Sequence, residues 1–225
     1  MEVRVIHVTD IVKSKTAIVE RKCHEFLKQC GSPTILNHRL KRFPGRNFSV
    51  FLAGGASTDW RKEVEATMIK TLGEYKDPNF DTIYIFDPKT EGIGKKVNYS
   101  QMIEWEKFFL ERSDILAFNF EKSETDQPFS LFELGRYAPT KLESIGAMGD
   151  QVFNGNIASD SLVVNVHPEY RQRFGMTKQL ELMIADNCIH YKDKILLPEY
   201  MEPEQFGKEI SIRVERMMDF LGWVQ

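Results

Sequence analysis

Four short runs of nearly unbroken apolar residues constrain this chain more than any other feature. They are Phe48-Ser-Val-Phe-Leu-Ala53, Thr82-Ile-Tyr-Ile-Phe86, Asp114-Ile-Leu-Ala-Phe-Asn-Phe120 and Ser161-Leu-Val-Val-Asn-Val166. A strand with one face in water alternates apolar and polar residues; these do not, so both of their faces need covering. Between them lie helical patterns, Trp60 to Leu72, Tyr99 to Arg112 and Pro128 to about Ala138, where Pro139 is expected to stop the helix. Two more helices are expected over Glu169 to Ile184 and Pro203 to Leu221. From residue 48 the order reads β-α-β-α-β-α-β-α. That order predicts an α/β fold, a flavodoxin-like or Rossmann-like doubly wound, mostly parallel sheet with helices on both faces.

A length of 225 residues suits one domain with an appended segment. Residues 1–47 are read as an N-terminal extension, either an edge strand and helix or a small cap, and 48–225 as the main domain. Within the extension Val3 to Val8 reads as a strand, Thr16 to Gln29 as a helix and Thr34 to Leu40 as a further strand. The basic turn Arg39-Leu-Lys-Arg-Phe-Pro-Gly-Arg46 is read first as a solvated connector and second as a phosphate or partner contact. Gly146 to Asp160, rich in Gly, Asn, Asp and Ser, is expected to be a long loop of the kind that forms lids.

Several classes of function are disfavoured. No run approaches 18 apolar residues, so no transmembrane helix and no membrane partner is expected. The opening Met-Glu-Val-Arg-Val-Ile-His-Val lacks the basic start and apolar stretch of a signal peptide. With three sparse cysteines, Cys23, Cys30 and Cys188, this favours reduced thiols and a cytoplasmic location. Net charge is −3, so nucleic acid is a poor default partner. The five histidines are scattered and the cysteines have no ligand spacing, so neither a metal nor a cofactor is expected. Gly92-Ile-Gly-Lys-Lys96 lacks the upstream glycine and the hydroxyl residue of a P-loop, and no Gly-x-Gly-x-x-Gly, His-Glu-x-x-His or Gly-x-Ser-x-Gly is present.

What remains is one carboxylate and a glycine-lined strand end. In Phe129-Ser-Leu-Phe-Glu-Leu-Gly-Arg-Tyr137, Pro128 suits a first helical turn and Asp126 a cap ahead of it. At ~100° per residue, Phe129, Glu133 and Tyr137 fall at 0°, about 40° and about 80°, so Glu133 lies in an aromatic stripe. Burial there would raise its pKa. The plainer reading is an ion pair between Glu133 and Arg136 at i+3. This helix follows the strand ending at Phe120, which places its start at the carboxyl edge, where open α/β sheets bind ligands. The other strand ends reach the same edge. Gly54, Gly55, Ser57 and Asp59 follow the first strong strand, Asp87 the second and His167 the fourth. The glycine pair either makes a tight turn or admits a sugar or phosphate, with the Trp60 helix offering N–H groups to an anion. Trp60 is either a core anchor or a stacking surface for a base. Gln101, Glu104 and Trp105 lie near one another on a helix, where a solvated face would need no function.

In chain order, Phe51-Leu-Ala-Gly with Trp60, Glu104-Trp-Glu106, Ser113-Asp-Ile-Leu-Ala-Phe, and Leu131-Phe-Glu-Leu-Gly-Arg-Tyr137 together resemble the nucleoside 2-deoxyribosyltransferase-like family. Leu162-Val-Val-Asn-Val-His-Pro-Glu-Tyr170 with Arg171 and Arg173 continues the likeness, which spans 48 to about 182. The resemblance implies a flavodoxin-like fold and cleavage or transfer at the N-glycosidic bond of a (deoxy)nucleoside or its monophosphate. It implies Glu133 as the nucleophile that attacks the anomeric carbon and carries a glycosyl-enzyme ester. The family often places an aspartate near the helix bearing Glu104-Trp105. Position 102 here is methionine, so Glu104, Asp59 or Asp126 must supply the acid/base group, or amide groups do. Trp60 would select the base, while Ser57, Ser130 and the glycine pair would meet sugar or phosphate oxygens. Relatives are commonly dimers or larger, so a homo-oligomer is implied. The alternative is a nucleotide-binding sensor on the same fold, without turnover.

Overall fold

The structure is a computed structural model that describes every residue except 32–43, 56–58, 89–95, 123–126, 150–157, 187–194 and 224–225. Five strands, β1 (Glu2–Ile6), β2 (Asn47–Gly54), β3 (Thr82–Phe86), β4 (Ile115–Phe120) and β5 (Leu162–Val166), form one sheet in the order β1-β3-β2-β4-β5. All four pairings are parallel. Leu196 adds a single parallel bridge to Val164 outside β5. The helices are α1 (Val8–Ile11), α2 (Val19–Gln29), α3 (Trp60–Glu74), α4 (Tyr99–Leu110), α5 (Pro128–Gly149), α6 (Arg173–Asp186) and α7 (Pro203–Trp223), with a 3-10 turn at Ala158–Ser161.

The apolar runs became buried strands for the expected reason. On one face Phe51, Phe86, Phe118 and Phe120 meet Cys23, Trp105, Phe109, Tyr137 and Leu180 from α2, α4, α5 and α6. On the other, Phe48, Val50, Leu52, Ile83 and Ile85 meet Trp60 and Val64 of α3 and Phe206, Ile210 and Val214 of α7. Gly207 lets α7 lie close on α3, since a Cβ there would meet Thr67 at 2.9 Å and the Val64 carbonyl oxygen at 3.1 Å. The chain leaves β2 toward β3 on one side and returns to β4 on the other. The topological switch point is therefore between β2 and β4, and the crevice at their carboxyl ends is where such a sheet binds ligands.

The N-terminal stretch is part of this layer. β1 pairs with β3 as an edge strand, and the buried residues Val19 and Cys23 of α2 join the core beneath α4. Asn98 caps α4 by accepting from the Gln101 N–H (2.9 Å), and Gln101 reaches back to the Asn98 N–H (3.1 Å). The Gln101 amide also donates to the Ser14 and Ala17 carbonyls at 3.1 and 2.8 Å. The side of α4 expected to be solvated is thus largely buried at Gln101 and Trp105, and only Glu104 of that trio is exposed. Arg46, the last residue of the basic turn, donates to the Asn79 carbonyl at 3.0 Å and acts as a tie; Thr34 to Leu40 and Arg39 to Phe43 lie outside the described residues.

Two expectations fail in α5. Pro139 does not end the helix but lies inside it, and the segment expected as a loop from Gly146 is helical through Gly149. A proline removes the N–H that would reach the carbonyl four residues earlier. That carbonyl belongs to exposed Gly135, where solvent can satisfy it, while Leu134, Tyr137 and Ala138 bury the opposite side and hold the helix together.

Candidate active site

The carboxyl end of β2 is shaped by two glycines. Gly54 has φ +137°, and a Cβ there would fall 2.1 Å from the Asn119 carbonyl oxygen of β4. A Cβ on Gly55 would meet the Gln127 amide at 2.8 Å. The space beside each glycine is thus filled by this chain: the turn is pressed between β4 and the start of α5. Gln127 holds φ +45° just before Pro128, a costly backbone for a side chain of its size. Its Nε2 donates to the Glu121 carbonyl at 3.1 Å and its carbonyl accepts the first α5 bond from Leu131 (3.1 Å).

Below the turn lies a cation that the sequence reading passed over. Arg61, in the first turn of α3, is 2% exposed. Its Nε donates to the Leu52 carbonyl (3.1 Å), and its two terminal nitrogens to the Gly55 and Gly54 carbonyls (2.8 Å each). Asp87, at the end of β3 and equally buried, places Oδ1 3.3 Å from that Nε and Oδ2 3.6 Å from His7 Nδ1 at the end of β1. Trp60 is a core residue here. It is 2% exposed, donates its indole N–H to the Gly55 carbonyl at 2.9 Å and packs its ring against Phe206.

Glu133 sits in the second turn of α5, half-buried beside Ser130, Leu134 and Tyr137. Of the aromatic stripe only Tyr137 is buried, and Phe129 is 64% exposed. Among the described residues Glu133 makes no ion pair; exposed Arg136 lies 5.6 Å over the Tyr137 ring instead. Burial lifts the Glu133 carboxyl to about 7, although Arg61 pulls it down. Its counterpart is Glu106 on α4. Burial, then repulsion from Glu133, push that carboxyl to about 8 against the attraction of Arg61. Glu121, just past β4, is raised to about 7, first by burial and then by Glu202 and Glu63, with Arg61 again opposing.

The Glu104-Trp-Glu106 motif therefore contributes its second glutamate to this neighbourhood. Glu104 is exposed, and its charge is felt by Cys23 of α2, on another side of α4. Helix geometry separates the two once the buried side is known: position 106 is one turn beyond buried Met102, so both share a face, whereas position 104 is rotated by about 160° from 106. Asp59 is exposed, 3.8 Å from Lys62. His167 accepts the Glu169 N–H at 3.1 Å and packs edge-on against Tyr200. Ser57 and Asp126 lie outside the described residues.

Three buried polar atoms near this edge, Trp105 Nε1, Asn119 Nδ2 and Gln127 Oε1, have no hydrogen-bond partner among the described residues. Leaving such a group unmet costs about 1–3 kcal/mol, so each is a ready contact for a ligand or water. No group of three or more His, Cys, Asp or Glu that could hold a metal occurs among the described residues, and no described helix is long and apolar enough to cross a membrane.

A parallel doubly wound sheet, with two partly desolvated carboxyl groups on the helices after β3 and β4, defines a flavodoxin-like α/β protein. Residues 47–150 match the family described as "Nucleoside 2-deoxyribosyltransferase like". The match supports the resemblance seen in the sequence over the segment that carries β2, Arg61, Asp87, Glu106 and Glu133. The strand at Leu162 and the arginines after it lie outside the matched segment. No curated protein matches this chain.

Proposed function

We propose that the protein cleaves the N-glycosidic bond of a (deoxy)nucleoside or nucleoside monophosphate and passes the sugar to a second base or to water. The observation that carries this reading is the Glu133–Glu106 pair, whose environments hold one carboxyl near 7 and the other near 8. Between those two values the lower member is the more ionised and the higher the more protonated, the division of labour that a nucleophile and a general acid need. Glu133 attacks the anomeric carbon as the bond to the base breaks, and Glu106 gives its proton to the departing nitrogen. The sugar is then held as an ester on Glu133. In the second half the acceptor attacks that carbon, loses its proton to Glu106, and frees Glu133.

The reading rests on the family match and on the local chemistry together. It is tested by incubating the protein with a panel of deoxynucleosides and their monophosphates, with and without a second base, and measuring free base by chromatography. Release is expected from at least one member, with an activity maximum between about pH 7 and 8: Glu133 is protonated below that window and Glu106 ionised above it. Glu133→Ala should abolish release while the protein stays folded. Glu106→Gln should slow it by about 10²–10⁴-fold, and far less for a substrate whose leaving group needs no proton. Release by Glu133→Ala at the parent rate would reject the assignment.

A further inference from the structure

We infer that Arg61 is a positioning residue for this site: from below the floor its guanidinium clamps the turn after β2, against which the start of the Glu133 helix packs, and sets a buried positive charge behind that turn. The inference builds on the reading above and adds to it a residue that touches no substrate.

The geometry carries it. A guanidinium that is 2% exposed has been removed from water, a cost that only full pairing offsets. Arg61 spends its donors on three successive-region carbonyls, Leu52, Gly54 and Gly55, all at the carboxyl end of the central strand. Carbonyls carry no net charge, so the carboxylate that balances the cation most closely is buried Asp87, at 3.3 Å. The turn it clamps is the one against which Gln127 packs, and Gln127 opens the helix that bears Glu133. The same fork therefore sets both the position of the turn and the field behind it. The charged or titratable groups facing Glu133 are Arg61 from α3, Glu106 from α4 and Tyr137 on its own helix. Those around Arg61 are Asp87, Glu106, Glu133 and Glu121. His7 lies beyond Asp87, and Glu63 and Glu202 beyond Glu121. Among the described residues, Arg61 is the cation whose charge acts on Glu133, Glu106 and Glu121 alike.

The test follows the ionisation of Glu133 directly, by carbon-13 NMR titration of carboxyl-labelled protein, with Glu133→Gln assigning the resonance. Arg61→Met should move the Glu133 midpoint upward by about one pH unit or more. Asp87→Asn, which leaves the Arg61 charge less compensated, should move it downward. Arg61→Lys should keep the midpoint near that of the parent while raising KM, because the charge survives and the three-carbonyl clamp does not. A merely structural arginine would lower stability in the variants without shifting the midpoint in opposite directions. Unmoved midpoints in Arg61→Met and Asp87→Asn overturn the inference; if Arg61→Met does not fold, an unmoved or raised midpoint in Asp87→Asn does so alone. Because this titration does not need turnover, midpoints that shift as expected in a protein that releases no base would refute the proposed reaction and leave the role of Arg61 standing.

Discussion

Gly54 shows how little freedom the chain has at the edge where its chemistry is placed. Its φ of +137° and the Asn119 carbonyl, 2.1 Å from where a Cβ would stand, forbid any side chain unless β2 and β4 part. Gly54→Ala is therefore expected to cost at least about 2 kcal/mol in denaturant unfolding and to lower activity more than its stability loss explains, since the Arg61 clamp includes the Gly54 carbonyl. Gly55→Ala is a milder change, because the atom in its way is the end of a Gln127 side chain, which can turn aside. At this scale the sequence was only partly readable. The glycines announced a special turn, and Glu133 stood out among its aromatic neighbours. Arg61 did not: an arginine beside a tryptophan in a charged helix start looks like any solvated residue until the fold folds three carbonyls around it. Glu106 was likewise hidden beside Glu104, because choosing between them requires knowing which side of α4 faces the sheet.

At the scale of elements, near-continuous apolar runs proved a dependable guide. All four expected strands of the main domain are strands, to within a residue at each end, and β1 (Glu2–Ile6) overlaps the run Val3 to Val8 expected to be one, starting one residue earlier and ending two earlier. The reason is physical: a run with no polar alternation has no stable place except between two covering layers. Helix ends were less readable. Pro139 is a local signal for a stop, but the buried side of α5 on either flank outweighs the single hydrogen bond the proline removes. Burial decided the Gln101–Trp105 face too. Its polar residue is satisfied by carbonyls more than eighty residues away, Ser14 and Ala17, and no local pattern can reveal that.

For the whole molecule, placing acids at a partly desolvated crevice has a cost that depends on pH. Glu133 and Glu106 are raised from 4.5 to about 7 and about 8, so between pH 4.5 and 8 the folded state binds more protons than the unfolded chain. Stability must then fall as pH rises through that window, and the contribution of these two groups is most favourable below pH 4.5. Glu106→Gln, neutral at every pH, should raise Tm at pH 8.5 by a few degrees, at about 2–4 °C per kcal/mol for a chain of this size, and change it little at pH 4.5. Thermal melts of the two proteins at both pH values check this; an equal shift at both would show that ionisation of Glu106 is not the cause. A stabilised and slower variant would also fit the general exchange of stability for function at a charged site.

The most direct test of the central claim is to look for the sugar on Glu133. The protein should be mixed with a substrate from the panel that releases base, quenched in acid within the first turnovers, digested and analysed by mass spectrometry. The account predicts a pentosyl adduct on the peptide containing Glu133, with fragmentation placing it on that side chain and its amount falling when an acceptor base is added. Base release with no such adduct at any time, or an adduct on another residue, would contradict it.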